Sequence, residues 1–533
     1  MDRRLLDERL ATVRVTGGSV RGVRVGRTRV WRGIPYAAPP LGHLRFRSPT
    51  PVRPWAGIRD ASSYGQIAPQ RVRTGLGRAR ATVTGGEDCL TVNVRSPILG
   101  AREKGPLPVT VFIHGGGYNS GSSRDFSGQG ESFVDSRRVV YVSFNYRLGA
   151  LGYLDFTRYS TSARRFDNNL GLRDQLALLR WVQANIAAFG GDPHNVTVFG
   201  ESAGGNAVTT LMATPSAHGL FSKAIAQSPP PDAVYAAART AQWAGEYVEL
   251  LRVVMAERAA GVGTPELLVA APVDDLIAAG VQLQIRTPDL YPGEFCLAPV
   301  IDAELVPESP MAAFGAGRAL RIPLIIGTND REGSIFRGRI DILPRSSARI
   351  AALLGQASPE VADALRRAYP GLPSRRPAAD LGGDYGFWFP STRVADLHSR
   401  HAPVFAYRFD FAPRLLRLVG LDATHGVEMF ALFDRLDDPL ARAMTSLGGN
   451  ESYAAAGERM RRHWLAFAES GAPEPPWPGY EEGERRTLII SDLDRVEADP
   501  RRERREAWEG FGRAHASAAD ESAPEREPPG PGR

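Results

Sequence analysis

Cysteine is almost missing from this chain of 533 residues: only Cys89 and Cys296 occur. Two thiols cannot build a disulfide framework, and their scarcity suits a reducing compartment. Lysine is equally rare. Lys104 and Lys223 are the only ones, so 63 of the 65 basic residues are arginine, a bias read here as the imprint of a GC-rich coding genome. No apolar run is long enough to cross a bilayer, and the opening MDRRLLDERLATVRV lacks the apolar segment of a signal peptide. A cytoplasmic protein is the expectation. Also absent are the phosphate-cradling G-x-x-x-x-G-K-[ST], a dinucleotide fingerprint and Cys/His metal spacing, so neither cofactor nor metal is expected.

What remains is the composition of an ordinary soluble globular protein, 43% hydrophobic and 23% charged. The net charge of +6 is spread among 59 acidic residues, with no basic cluster of the kind that binds nucleic acid. The first hundred residues read as short strands and turns. From about 107 onward, strands alternate with helices: PVTVFIH (108–114), RVVYVSFNYRL (138–148), a helical LGLRDQLALLRWVQANIAAF (170–189), and NVTVF (195–199). KAIAQS, PLIIGTND (323–330) and APVFAYRFDF (402–411) continue the series. That order predicts an α/β fold with a mostly parallel sheet covered on both faces. Helical insertions are expected at about 231–290 and 340–400. The expected organisation is one domain over 1–495 and a largely disordered tail over 496–533, because the tail offers little to bury.

Between NVTVF and a helical AVTTLMATP lies Gly200-Glu201-Ser202-Ala203-Gly204, the chain's single G-x-S-x-G. Small residues around a serine at a strand-to-helix turn allow a tight elbow and leave the hydroxyl open to a substrate. A serine nucleophile needs a base and a group to orient that base. In strand order the acid follows PLIIG, where Asp330 and Glu332 are both available, and the base follows APVFAYRFDF, where His425 stands in ATHGVEMF. His398, His401, His463 and His515 fall in helical or tail segments and read as surface or packing residues. His114-Gly115-Gly116-Gly117 also follows a strand, and its N–H groups, with that of Ala203, would make an oxyanion hole. A histidine base of this kind is expected to titrate at roughly pH 6 to 7.5.

These segments resemble the type-B carboxylesterase branch of the α/β-hydrolases, the group of para-nitrobenzyl esterases, mammalian carboxylesterases and cholinesterases. The resemblance spans about 15 to 490 and rests on RGIPYAAPPLGHLRFRSP, EDCLTVNV from Glu87, HGGGYNSGS, NYRLGALGYL and NLGLRDQLALLRWVQANIAAFGGDPHNVTVFGESAGG. It implies Ser202 as nucleophile, His425 as base, Glu332 rather than Asp330 as acid, and Gly116, Gly117 and Ala203 as oxyanion donors. It implies pairing of Arg45 with Glu87 and of Arg147 with Asp174. It also implies a small-molecule ester as substrate, cleaved through an acyl-enzyme without a cofactor. A lipase or thioesterase acting on longer acyl chains, or a catalytically silent binding member, are the alternatives. The sequence departs from the family at Ala68, where a cysteine often partners that of EDCL, so Cys89 should be a free thiol. In cholinesterases the loop before EDCL carries a tryptophan that receives the choline cation. Here Gln70–Gly86 has no aromatic residue but has Arg71, Arg73, Arg78 and Arg80.

Overall fold

A computed structural model describes residues 11–73, 81–99, 105–336 and 341–521; the side chains of 73, 81 and 512–521 are not described. Arg78 and Arg80, the Arg73 side chain and residues 522–533 of the expected tail therefore lie outside the described residues. Eleven strands form the main sheet: β1 (Val23–Val25), β2 (Thr28–Pro35), β3 (Thr91–Pro97), β4 (Leu107–Ile113), β5 (Val140–Phe144), β6 (Gly191–Glu201), β7 (Lys223–Gln227), β8 (Leu324–Asn329), β9 (Val404–Phe409), β10 (Arg486–Ile490) and β11 (Arg495–Ala498). Their spatial order is β11-β10-β9-β8-β7-β6-β4-β5-β3-β2-β1. The seven strands from β10 to β5 run parallel, and antiparallel strands close both edges. Strands such as VYVSF and KAIAQ are buried along their whole length, as parallel strands covered on two faces must be.

The helices that concern the site are α1 (Leu170–Asn185), α2 (Ala203–Met212), α3 (Ala237–Met255), α4 (Val273–Leu290), α5 (Arg375–Gly383), α6 (Phe389–Ser399), α7 (Asn450–Ser470) and α8 (Arg502–Glu521). A π-helical turn, Asp384–Trp388, joins α5 to α6. Helix α1 buries Leu172, Leu176 and Leu179, spaced for one helical face, against the sheet. Among the described residues no single helix is long and apolar enough to cross a membrane.

Beyond β4 the chain steps first to β5 on one side and then to β6 on the other. Ligands of open parallel sheets bind in the crevice that such a reversal leaves at the strand C-termini. Register pairs Gly200 with Ile113, so the serine turn and the glycine loop emerge side by side. One buried and one partly buried ion pair brace the loops behind them. Arg147 grips Asp174 through Nε and Nη2 at 2.8 and 2.7 Å. Arg45 grips Glu87 at 2.8 and 2.5 Å and also donates to the carbonyls of Val269 and Ala271. Cys89 is a buried free thiol.

The C-terminal segment departs from expectation. APVFAYRFDF is followed by two further strands of the sheet, and residues 499–511 are packed rather than loose. Trp508 is fully buried, donates to the Tyr369 hydroxyl at 2.7 Å, and sits among Tyr385, Phe389 and Phe511. Arg501 bridges Asp330 and Asp384 at 2.6 and 2.9 Å. Composition hid this docking because Ala507, Trp508 and Phe511 are three apolar side chains in a run of charges, yet they share one helical face. Trp508→Ala should therefore cost about 3–5 kcal/mol in reversible urea unfolding. A change under about 0.5 kcal/mol, as for an exposed residue, would show α8 to be undocked.

Candidate active site

At the end of β6 the backbone turns sharply into α2. Ser202 adopts φ 58° and ψ −123°, a conformation that L residues tolerate only where the surroundings enforce it. Its N–H donates to Gln227 O and its carbonyl accepts from Asn206, each at 2.9 Å. A Cβ on Gly204 would lie 2.1 Å from the Ile113 carbonyl, so only glycine lets α2 start this close to β4. The loop after β4 is equally constrained. Gly116 has φ 108°, and a Cβ there would meet the Ser120 carbonyl at 2.3 Å. His114 anchors the loop, with its ring stacked on Tyr146 and its carbonyl accepting from the Tyr146 hydroxyl at 2.6 Å. Gln70 clasps the loop's far end, exchanging two hydrogen bonds with the backbone of Gly121. Among the described residues, the N–H groups of Gly116, Gly117 and Ala203 donate to no acceptor within the protein.

Glu332 follows β8 in a short turn and is buried. Its Oε1 accepts from the Asn329 N–H and the Ser228 hydroxyl, both at 2.6 Å, while Oε2 lies 2.5 Å from His425 Nδ1. An ionised carboxylate only accepts, so Nδ1 carries the proton. Asp330 faces the opposite way, toward Arg501 and Arg408. The other histidines lie apart: His398 Nε2 contacts the Ile322 carbonyl at 2.9 Å, and His463 lies against Trp477. The His425 ring rests against the stacked pair of Phe387 and Phe336, with centroids 4.6 and 5.2 Å away. His425 Nε2 lies 3.2 Å from Oε1 of Glu201, the residue before Ser202. The serine turn, the acid turn and the histidine loop thus meet at the same sheet edge.

Three participants escaped the sequence reading. Glu201 lies inside the G-x-S-x-G segment, Ser228 ends KAIAQS, and Glu428 stands in ATHGVEMF, and no pattern in the sequence assigned any of them a role. Glu428 is 1% exposed and accepts from Asn329 Nδ2 at 2.7 Å. Its signal was its place three residues after His425, in the first turn of the short helix Val427–Leu432.

The Carboxylesterase family model matches residues 9–508. The para-nitrobenzyl esterase of Bacillus subtilis (strain 168) is 34% identical over 497 residues, covering 92% of this chain and 96% of that protein. The fumonisin B1 esterase of Sphingopyxis macrogoltabida is 34% identical over 479 residues, covering 87% and 83%. A solved structure titled PNB esterase superposes with a TM-score of 0.78 at 33% identity, covering 93% of this chain and 99% of that one.

One imidazole thus shares a buried site with three carboxylates. Burial by itself lowers the His425 pKa, but Glu201 and Glu332 outweigh it and carry the value to about 9. That is higher than the sequence led one to expect. Burial raises Glu201 to about 7, opposed by His425 and reinforced by Glu332. Burial, then Glu201 and Glu332, raise Glu428 to about 8. The neutral imidazole therefore accumulates only as pH climbs above neutrality. In NMR of ring-labelled histidine, His425 should titrate well above the ordinary 6.5. Glu201→Gln should lower that pKa, because a neutral amide no longer stabilises the imidazolium. An unchanged titration in the variant would remove Glu201 from the balance.

Proposed function

Because the chain belongs to the carboxylesterase family and cleaves carboxylic esters as a serine hydrolase, we propose that Ser202, His425 and Glu332 form its catalytic triad. The observation that carries this assignment is the Glu332–His425 contact of 2.5 Å at the edge where the Ser202 turn emerges. With its proton held on Nδ1, the neutral His425 ring takes the Ser202 proton on Nε2, the nitrogen that faces Glu201 Oε1 at 3.2 Å. The alkoxide attacks the ester carbonyl, and the N–H groups of Gly116, Gly117 and Ala203 hold the oxyanion. Those three unengaged donors at adjacent strand ends support that role. His425 then protonates the departing alcohol, the acyl group remains on Ser202, and a water activated by His425 releases the acid. Glu332, at 2.5 Å from Nδ1, holds the ring in its tautomer.

The substrate reading is an uncharged ester with an apolar flank. Phe336 and Phe387 beside His425, backed by Phe295 and Leu343, present hydrocarbon rather than charge. The hydrolase domain is taken to run through Phe511, given the docking of Trp508. Two buried free thiols support a cytoplasmic location.

Ser202→Ala should stay folded and lose ester hydrolysis by about 10⁴–10⁶-fold. A variant keeping a tenth of the activity would exclude Ser202 as nucleophile. Glu332→Gln should be severely impaired in kcat, whereas Asp330→Asn should lose stability but little kcat. The opposite result would transfer the acid role to Asp330. In a matched series, kcat/KM for neutral short-chain aryl esters should far exceed that for choline esters. Equal values would show that a cation subsite exists.

A further inference from the structure

Behind the turn that carries Glu332 lies a cavity of about 170 Å³ whose lining includes Arg331, Ser334, Arg345, Arg375 and Arg376. Four guanidinium groups there face two carboxylates. Arg331, 6% exposed, occupies both, contacting Asp380 and Asp422 at 2.8 Å each. Arg376 reaches only the already engaged Asp422, at 3.3 Å. Among the described residues neither Arg345 nor Arg375 makes an ion pair, and Arg345 Nε is buried without a hydrogen-bond partner. Asp341, the acid that most attracts Arg345, is itself 3.6 Å from Arg349.

An unpartnered, half-buried guanidinium is costly unless something occupies its donors. Burial of Arg345, with Arg331 close by and Asp341 only partly compensating, disfavours its charged form. The side chain is nevertheless held in place, with its Cγ against Gly382 of α5 where a Cβ would lie 3.2 Å away. Arg375 and Arg376 open the first turn of α5, which contains no acid and has no side-chain cap from Ser374. The positive end of that helix adds to the same field.

We propose that this cavity binds a small dianionic oxyanion, a phosphate or a dicarboxylate, between Arg345 and Arg375, with Arg376 at its rim. Guanidinium forks match both oxyanions through paired N–H donors. The volume is close to the ~150 Å³ that accepts a benzene-sized molecule, so a nucleotide is too large. The site shares no residue with the triad, but its floor is the outer face of the same loops. Arg331 precedes Glu332, and the Ser334 hydroxyl joins Leu421 O and Thr424 Oγ1 at 2.6 and 2.7 Å, next to His425.

The test uses the full chain, with melting temperature measured in sodium phosphate, sodium succinate and sodium chloride at equal ionic strength. Phosphate or succinate should give a saturable rise of roughly 2 °C over chloride. Calorimetric titration with that anion should give one site, and the responding arm identifies which oxyanion is bound. Arg345→Gln and Arg375→Gln should each abolish the rise while leaving ester hydrolysis in chloride unchanged. In chloride alone, Arg345→Gln should melt at or above the wild-type temperature, because an unpartnered, half-buried charge is gone. Absence of an anion-specific rise, an equal rise in both variants, or a lower melting temperature of Arg345→Gln in chloride would each overturn the proposal. If Arg345→Gln does not fold, the exposed Arg375→Gln alone decides.

Discussion

Everything at this site depends on how closely two strand ends approach one another. A Cβ on Gly115 would fall 2.5 Å from the Glu201 carbonyl, one on Gly200 would meet Gly204, and one on Gly204 would strike Ile113 O. With all three lacking side chains, the start of α2 can press against the end of β4. That pressure holds Ser202 at positive φ. The strain, of order 1–3 kcal/mol for such a residue, is carried by a sheet interior in which Val109–Ile113 of β4 and Val196–Gly200 of β6 are buried. The same approach sets Gly116 and Gly117, after β4, beside Ala203, after β6, with their N–H groups unengaged. The Ser202 conformation and these unengaged backbone donors thus share one packing constraint.

The electrostatics impose a second constraint that packing alone does not meet. Glu201, Glu332 and Glu428 are all brought near a single imidazole, and three buried negative charges cannot coexist there without compensation. The structure distributes the load unevenly. Glu332 receives the Asn329 N–H, the Ser228 hydroxyl and the His425 ring. Glu428 receives Asn329 Nδ2 at 2.7 Å, with Gln227 Nε2 at 3.5 Å. Glu201 Oε1 has an ion contact with His425 but no aligned hydrogen bond. The carboxylate best supplied with donors holds the ring, and the two less well supplied ones are pushed toward protonation.

The legible and illegible parts of this molecule differ for physical reasons. Parallel strands announce themselves because burial on both faces demands continuous β-branched runs, and the serine turn does so because it excludes side chains. The order of Ser202, Glu332 and His425 along the strand ends follows from that topology. Glu428 and Ser228 were illegible because one glutamate and one serine among many carry no pattern until the fold sets them beside His425 and Glu332. The docking of α8 was missed for a related reason. A single fully buried tryptophan outweighs a dozen solvated charges energetically, but contributes one letter to the composition.

That docking bears on the site itself. Glu332 is held from within by β7 and β8, through Ser228 and Asn329. Its turn is held from outside by charges belonging to remote parts of the chain. Arg331 ties it to Asp380 of α5 and to Asp422 of the histidine loop. Asp330 is tied to Arg501, which also reaches Asp384 and lies over the Trp388 ring. The Glu332 turn is therefore fixed by Arg501, the residue that leads into α8, as well as by the strand it follows. Removing one partner of a buried pair leaves the other charge stranded, which costs about 3–5 kcal/mol, far more than forming the pair contributes. The arrangement resists small displacements of Glu332 for that reason. The Glu332 carboxylate, held within hydrogen-bond distance of the His425 imidazole, is thus positioned by charges that touch neither group.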